Sequence, residues 1–317
     1  MTTPTSPTSP RPGLRIGVDL GGTKVEAVVV EVGGAEPNVL ARRRVPTERD
    51  RGYEHVLDVV RQLVLGLAED AGIDAQSTPI GVGMPGSTTL LLPDGTRSSV
   101  PLIKNSNTTC LNGRPFRAEL AEALGRDVAF ANDANCFALA EATWGAARGA
   151  RVAFGVIMGS GVGGGLVFDG HAWDGAQGIA GEWGHVPIAG PDAVPCYCGK
   201  TGCIETFLAG PFIEAAYERR AGTRKSLAEI ATAKEDPIAE TLLTERIELF
   251  GRALALVINV LDPDTIVLGG GVSNVDALYT RGRDAVAREI FNDELRTRIV
   301  KHALGDSAGV LGAALLA

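Results

Sequence analysis

Arg15 to Val32 reads RIGVDLGGTKVEAVVVEV. An apolar arm, a Gly21-Gly22 turn and a second arm rich in β-branched residues spell strand, tight turn, strand. Arg151 to Phe168, RVAFGVIMGSGVGGGLVF, spells the same unit around a longer glycine run. Recurrence of one supersecondary unit points to two related halves. The competing reading is a hairpin that recurs by chance in a mixed chain.

Between and after these units, strands and helices alternate. Val56, Leu57, Val60, Leu63, Val64 and Leu67 have helical spacing within Tyr53 to Ala71. Pro79 to Gly83 reads as a short strand, Phe116 to Leu124 as a helix closed by Gly125, and Asp127 to Ala131 as a strand. Asn135 to Ala147, Ile238 to Leu261, Val275 to Ile290 and the small-residue end Ser307 to Ala317 read as helices, with Thr265 to Leu268 as a strand. Such alternation argues an α/β fold.

With 317 residues, 45% of them hydrophobic, the chain can form two domains of ordinary size. The net charge is −8, and no basic run exceeds Arg42-Arg43-Arg44, so the electrostatic footprint of a nucleic-acid binder is missing. No apolar stretch approaches the roughly twenty residues of a membrane span. Residues 1–13, MTTPTSPTSPRPG, read as a disordered tail without the apolar core of a signal peptide. A cytoplasmic location is therefore expected.

Gly181 to Glu205, GEWGHVPIAGPDAVPCYCGKTGCIE, holds His185, Cys196, Cys198 and Cys203. One imidazole and three thiolates make a full tetrahedral set for Zn²⁺, and a closed set leaves no open position for chemistry. A structural zinc is the expectation. A disulfide with one free thiol is the alternative, disfavoured because a C-x-C disulfide is geometrically strained. Cys110 and Cys136 read as small buried apolar residues.

Three glycine clusters and one acidic cluster carry the remaining chemistry. Asp19-Leu20-Gly21-Gly22-Thr23-Lys24 offers backbone N–H groups, a hydroxyl and an ammonium to a phosphate, and Asp19 suits Mg²⁺ held through water. A plain hairpin turn fits the same residues. Gly159-Ser160-Gly161-Val162-Gly163 contains a G-x-G pattern, but a strand follows it, which argues against a dinucleotide fingerprint. Gly269-Gly270-Gly271 after a strand suits a flat nucleoside or a simple turn equally. In Asn132-Asp133-Ala134-Asn135, an acid at a strand end fits either a general base or a helix N-cap.

Taken together, IGVDLGGTK, ANDAN, GSGVGGG, GEWGH, CYCGKTGCIE and LDPDTIVLGGG resemble the ROK family (repressors, open reading frames, kinases). The resemblance runs from Leu14 to Ala317. It implies a two-lobed actin/hexokinase-like, ribonuclease H-like ATPase fold. The first lobe would span 14–131 and be rejoined by a terminal helix at about 305–317. The second would span 132–304 and carry the zinc loop 181–205. It further implies an ATP-dependent hexose kinase acting on the 6-hydroxyl. KNSNTTCLNGRPF and GGGVSNVDALY look most similar to fructokinases, which makes D-fructose the expected hexose. Glucose, mannose and N-acetylglucosamine are the alternatives, and Cys110, where relatives often carry tryptophan, leaves the pocket's preference open. By carry-over, Asp133 is the catalytic base, and Asn107, Asn132, Glu182, His185 and Glu205 bond the sugar. Asp19, Gly21, Gly22, Thr23 and Lys24 face the γ-phosphate and Mg²⁺. Gly159, Ser160, Gly161 and Gly163 take the other phosphates of ATP, and Gly269, Gly270 and Gly271 the nucleoside, with the nucleotide between the halves. A homodimer is also expected. The family's repressors carry an added helix-turn-helix domain, for which the short segment before Leu14 offers no counterpart.

Overall fold

The computed structural model describes residues 12–92 and 94–317. The expected tail lies outside the described residues except for Pro12 and Gly13, and Gly13 already opens the first strand. In chain order the elements begin β1 (Gly13–Leu20), β2 (Lys24–Val32), β3 (Asn38–Pro46), α1 (Tyr53–Asp70), β4 (Ile80–Met84), β5 (Ser87–Leu91), β6 (Arg97–Lys104), α2 (Phe116–Leu124), β7 (Ala129–Asn132) and α3 (Asp133–Thr143). There follow β8 (Val152–Met158), β9 (Val162–Phe168), β10 (His171–Ala172), α4 (Glu205–Leu208), α5 (Gly210–Ala221), α6 (Leu227–Thr232), α7 (Pro237–Leu261), β11 (Thr265–Gly269), α8 (Arg281–Glu289), β12 (Arg298–Lys301) and α9 (Ala308–Leu315).

These elements form two compact units. One comprises the chain up to Gly149, Gly165–Ala180 and Ala303–Ala317; the other comprises Ala150–Gly164 and Gly181–His302. The first sheet has strand order β3-β2-β1-β4-β7 and the second β10-β9-β8-β11-β12. Position by position the orders match: a strand-turn-strand unit, then two further strands beside its first arm. In the first sheet β1, β4 and β7 run parallel, and in the second β8, β11 and β12 do. The repeated unit read from the sequence is thus the organising element of both sheets.

In the first unit, α1 and α2 cover one sheet face. Val56, Val60, Val64 and Leu67 of α1 pack with Ile16, Val18, Leu20, Val25 and Ala27 in one core. The other face receives α9 at backbone distance. A Cβ on Gly17 would stand 2.2 Å from the Val310 carbonyl oxygen, and one on Gly81 would stand 1.9 Å from that of Ala313. From α9 itself, a Cβ on Gly312 would come within 1.7 Å of the Cys136 carbonyl oxygen on α3. Only glycine permits this approach. Because α3 lies along α9, the first unit runs past residue 131, the boundary read from the sequence, to Gly149.

Two buried carboxylates pin this unit. Glu141, fully buried, accepts from the backbone N–H groups of Ala146 at 2.8 Å, Ala303 at 3.0 Å and Leu304 at 2.9 Å. It thereby fixes the place where the chain re-enters to form α9. Glu26, 1% exposed, pairs with Arg42 at 3.2 Å and Arg44 at 2.5 Å. Strand alternation sends Arg43 to the opposite face, where it meets Asp70 of α1. The basic run of the sequence is therefore a strand whose charges serve the two faces of its own sheet.

In the second unit, α7 is capped by Asp236, whose carboxylate accepts from Ile238 and Ala239 N–H at 3.0 and 3.1 Å. It ends at Asp262, in the left-handed region with φ 47°, just before Pro263. Leu242, Ile247, Phe250 and Leu254 form its buried stripe. One reading fails here: the helix expected over Val275 to Ile290 begins only at Arg281. Gly271–Asn274 and Asp276–Tyr279 form single 3₁₀ turns instead, the first held by the Tyr279 hydroxyl donating to Ser273 O at 2.8 Å.

Gly81→Ala is expected to lower the melting temperature by at least about 5 °C, because its Cβ must displace backbone. Gly159→Ala, whose Cβ would meet nothing within 4 Å, serves as the control and should melt with the wild type. Thermal unfolding followed by circular dichroism compares the two; equal melting temperatures would refute the backbone seam.

Candidate active site

The three parallel strands of the first sheet end side by side. Asp19 stands in register with Gly83, and Asn132 with Met84. Carboxyl ends of parallel strands are where open α/β sheets bind ligands. At this edge the two readings of ANDAN divide between two residues. Asn132 is the N-cap of α3: its side-chain oxygen accepts from Ala134 N–H at 2.9 Å, and its Nδ2 donates to Gly86 O at 3.0 Å. Asp133, the first residue of the helix, accepts from the same N–H at 2.9 Å and is otherwise available for chemistry. Burial raises its carboxyl above the ordinary range. Asp19 is pushed up to about 7, first by burial, then by the charges of Asp133 and Glu26. Two neighbouring acids that both hold protons more tightly than usual mark a place for a cation or a transferable proton.

The Gly21-Gly22 turn is held from behind. Gly21 N–H donates to Lys24 O at 3.0 Å, and the buried Thr47 donates its hydroxyl to Gly21 O at 2.7 Å. The N–H of Gly21 thus closes the turn, which leaves Gly21 a part in shaping the loop. Thr23 is exposed and Lys24 half-buried. The missing side chain of Gly22 leaves a hollow bordered by Arg49 Nη1 at 3.2 Å, Asn107 Oδ1 at 3.5 Å and Thr108 Oγ1 at 3.8 Å from where a Cβ would be. Arg49 also donates to Asn107 O at 3.0 Å, and the Thr108 hydroxyl is buried without a partner. Asn107 thus lies beside the glycine turn of this unit.

In the second unit the glycine run docks onto GEWGH and α4. Val162 N–H donates to Glu205 Oε2 at 2.9 Å, Trp183 Nε1 to Gly163 O at 2.9 Å, and Gly210 N–H to Gly159 O at 2.9 Å. A Cβ on Gly161 would stand 2.7 Å from Glu205 Oε2, and one on Gly184 would stand 2.1 Å from Val162 O. Gly161 and Gly163 are therefore engaged in holding the loop, while Gly159 and the exposed Ser160 keep an open side. Gly270, with φ 77°, lies against Met158, whose oxygen would be 2.4 Å from a Cβ. Gly271 has nothing within 4 Å.

His185, Cys196, Cys198 and Cys203 bring one ligand atom each within 4.8 Å of one another. His185 Nδ1 is 3.5 Å from Cys196 Sγ, and Cys198 Sγ is 3.5 Å from Cys203 Sγ. Ligands about 2.3 Å from one tetrahedral centre stand about 3.7 Å apart, so the spacing fits zinc. Electrostatics fit as well. Burial and the two neighbouring thiols push Cys203 up to about 12, while the Lys200 backbone N–H holds Cys198 below its usual range. Crowded thiols of this kind are relieved by a cation that displaces their protons. All five cysteines are free of disulfides. The outer nitrogen of His185 is engaged within the protein. Its Nε2 lies 2.9 Å from the Tyr197 hydroxyl and 4.0 Å from Glu182 Oε2. Tyr197, Thr47, Arg49 and Thr108 escaped the sequence reading because none is a residue whose type the motif chemistry itself demands.

The ROK family model matches residues 15–317. The N-acetyl-D-glucosamine kinase of Pectobacterium atrosepticum is 36% identical over 313 residues, covering 95% of this chain and 97% of that protein. That of Vibrio cholerae is 34% identical over 313 residues, with 95% and 98% covered. Among solved structures, a ROK hexokinase from Thermus thermophilus superposes with a TM-score of 0.81 at 30% identity, covering 96% of this chain and 98% of that one. A ROK family glucokinase from Streptomyces griseus, solved with glucose and AMPPNP, gives 0.72 at 27%, with 96% and 99% covered. The chain belongs to the ROK family, among its sugar kinases, and has their α/β actin/hexokinase-like fold. Among the described residues no helix is long and apolar enough to cross a membrane.

Asp19 yields a prediction with a definite sign. Its folded-state affinity for a proton exceeds that of the unfolded chain, so its contribution to stability is lost as pH rises from about 4 to about 7. Asp19→Asn removes that loss. In chelator, the melting temperature of the variant should exceed that of the wild type at pH 8, with the gap narrowing at pH 5. A variant less stable than wild type at pH 8 would overturn the assignment.

Proposed function

We propose that this chain is an ATP-dependent hexose kinase that phosphorylates the 6-hydroxyl of its sugar. The observation that carries the reading is Asp133, a desolvated carboxylate at the end of β7 in a chain of this family. A raised proton affinity suits a group that must take a proton near neutral pH. The hydroxyl oxygen attacks the γ-phosphorus, its proton passes to Asp133, and the bond to the bridging oxygen of ADP breaks. Phosphoryl transfer asks of the protein mainly positioning and charge neutralisation. Mg²⁺, when bound, would neutralise charge on the phosphates. Asp19 suits it, with Thr23, Lys24 and the hollow at Gly22 toward the γ-phosphate. Gly159 and Ser160 would meet the other phosphates, with Gly161 and Gly163 shaping their loop. Gly269, Gly270 and Gly271 would border the nucleoside. Asn107, Asn132, Glu182 and Glu205 would bond sugar hydroxyls, beside His185, whose outer nitrogen meets the Tyr197 hydroxyl. A homodimer is part of the same reading and rests on the family resemblance alone, while a cytoplasmic setting is supported by the free thiols of the metal-ligand cluster.

As the acceptor we favour N-acetylglucosamine over fructose. The kinases named for that sugar align along nearly the whole chain at 33–36% identity. Fructose, expected from the loop at Asn107, draws no support from these relatives. The loop 181–205 is read as a structural zinc centre with His185, Cys196, Cys198 and Cys203 as its four ligands, a reading supported by their spacing.

Coupled ADP-release assays over N-acetylglucosamine, glucose, mannose and fructose test the substrate. N-Acetylglucosamine should have the highest kcat/KM, and a tenfold preference for fructose would restore the original expectation. Asp133→Asn should reduce kcat at least about a hundredfold while the sugar still binds. A variant retaining a tenth of wild-type turnover would remove Asp133 from the role of base. Elemental analysis of protein purified without added zinc should find one zinc per chain, and Cys203→Ser should abolish it.

A further inference from the structure

We propose that Tyr197 is a sugar-binding residue of this chain, offering its hydroxyl to the hexose in place of the outer nitrogen of His185. The inference rests on the hexose-kinase reading and names a residue of its sugar site. Tyr197 stands between Cys196 and Cys198, so two clustered thiols anchor its backbone on both sides. Its hydroxyl oxygen lies 2.9 Å from His185 Nε2, and the two rings meet edge to face at 5.0 Å and 87°. His185 Nδ1 is turned to Cys196 Sγ at 3.5 Å. With zinc on Nδ1, that nitrogen would carry no proton and the proton would sit on Nε2. Nε2–H then donates to the phenol oxygen, and the phenol's own O–H remains a donor for something else.

What that donor meets follows from its surroundings. Glu182 Oε2 approaches the same nitrogen to 4.0 Å, so the hydroxyl belongs to the polar set assigned to the sugar. Tyr197 is nevertheless 73% exposed. A large aromatic ring whose polar tip is fixed and whose body is open to solvent is built to be covered by an amphipathic ligand. A hexose is such a ligand: its C–H face can cover the ring, while a hydroxyl or acetamido oxygen accepts from the phenol. A phenol fixed in this way discriminates between sugars through the oxygen it requires, since a sugar lacking that oxygen leaves the donor unpaired.

Tyr197→Phe removes the donor and keeps the ring. Calorimetric titration with N-acetylglucosamine, glucose, mannose and fructose, together with kcat and KM for each, reads the effect. For the sugar that wild type prefers, Kd and KM should rise about tenfold, as for one lost hydrogen bond, with kcat within about twofold. Zinc content and melting temperature should not change. In a panel of monodeoxy analogues, one analogue should bind wild type and variant equally, which identifies the partner oxygen. An active wild type whose Kd and KM are unchanged in the variant overturns the inference and leaves the kinase reading intact. A penalty that persists for every deoxy analogue, or that comes with loss of zinc, also overturns it, because Tyr197 then only supports the loop. A wild type that phosphorylates none of the sugars removes the kinase reading and this inference with it.

Discussion

Direct contact between backbones governs the first unit. Helix α9 touches β1, β4 and α3 where Gly17, Gly81 and Gly312 withhold a side chain, at distances no Cβ could occupy. Interiors are packed to crystal density, so such a seam has no slack to share out. It also explains why the terminal helix reads Ala308-Gly309-Val310-Leu311-Gly312-Ala313-Ala314, a sequence with little intrinsic helix preference for its glycines. Tertiary packing, not propensity, keeps it helical. The same helix borders the chemistry: a Cβ on Gly309 would stand 3.1 Å from Asp19 Oδ2. Packing and site are thus two uses of one close approach.

The charges beside that helix oppose stability. Asp19 and Glu26 are directly opposed across β1 and β2, and Glu26 is opposed to Arg44 across β2 and β3. Like charges in such a pair destabilise a sheet. Arg42 and Arg44 pair with Glu26, and the charge of Glu26 also bears on Asp19. A sheet built only for stability would not place two acids there and a third, Asp133, within electrostatic reach. The arrangement makes sense if a cation completes it. The cost falls on Asp19 because Glu26 has its arginines and Asp133 has the N–H of Ala134.

What could be read from the chain divides along physical lines. Periodicity located α1, α2 and α7 to within a residue or two, since each carries an apolar stripe and a stop signal: Gly125 after α2, and Asp262 with Pro263 after α7. The Asp276–Tyr279 turn was misread as helix because Val275, Leu278, Ala285 and Val286 are all buried and helically spaced across the break. The hairpin of β5 and β6 escaped because its exposed residues show little alternation. In the site, motif residues were visible because their chemistry dictates their type and spacing. Thr47, which clamps Gly21 from the end of the next strand, was not visible. Its role depends on the register of β3 against β2, which a single sequence does not display.

The second unit obtains its order differently. Around the glycine run, Glu205, Trp183 and Gly210 each bond a different backbone group of residues 159–163. Glu205 and Trp183 flank the loop that holds the four metal-ligand candidates. That loop has almost no core of its own: Cys196 and Cys203 are buried, but residues 197–201 are all exposed. Apolar burial cannot pay for fixing such a segment, and backbone bridges at Pro187–Cys203 and Pro195–Thr201 are few. A four-ligand metal would supply the missing order, because its binding energy is folding energy for the loop that carries its ligands. Zinc in this place would therefore act at one remove on the turn at residues 159–163. By holding Cys203 it would hold the start of α4, which presents Glu205, and Glu205 accepts from Val162 N–H.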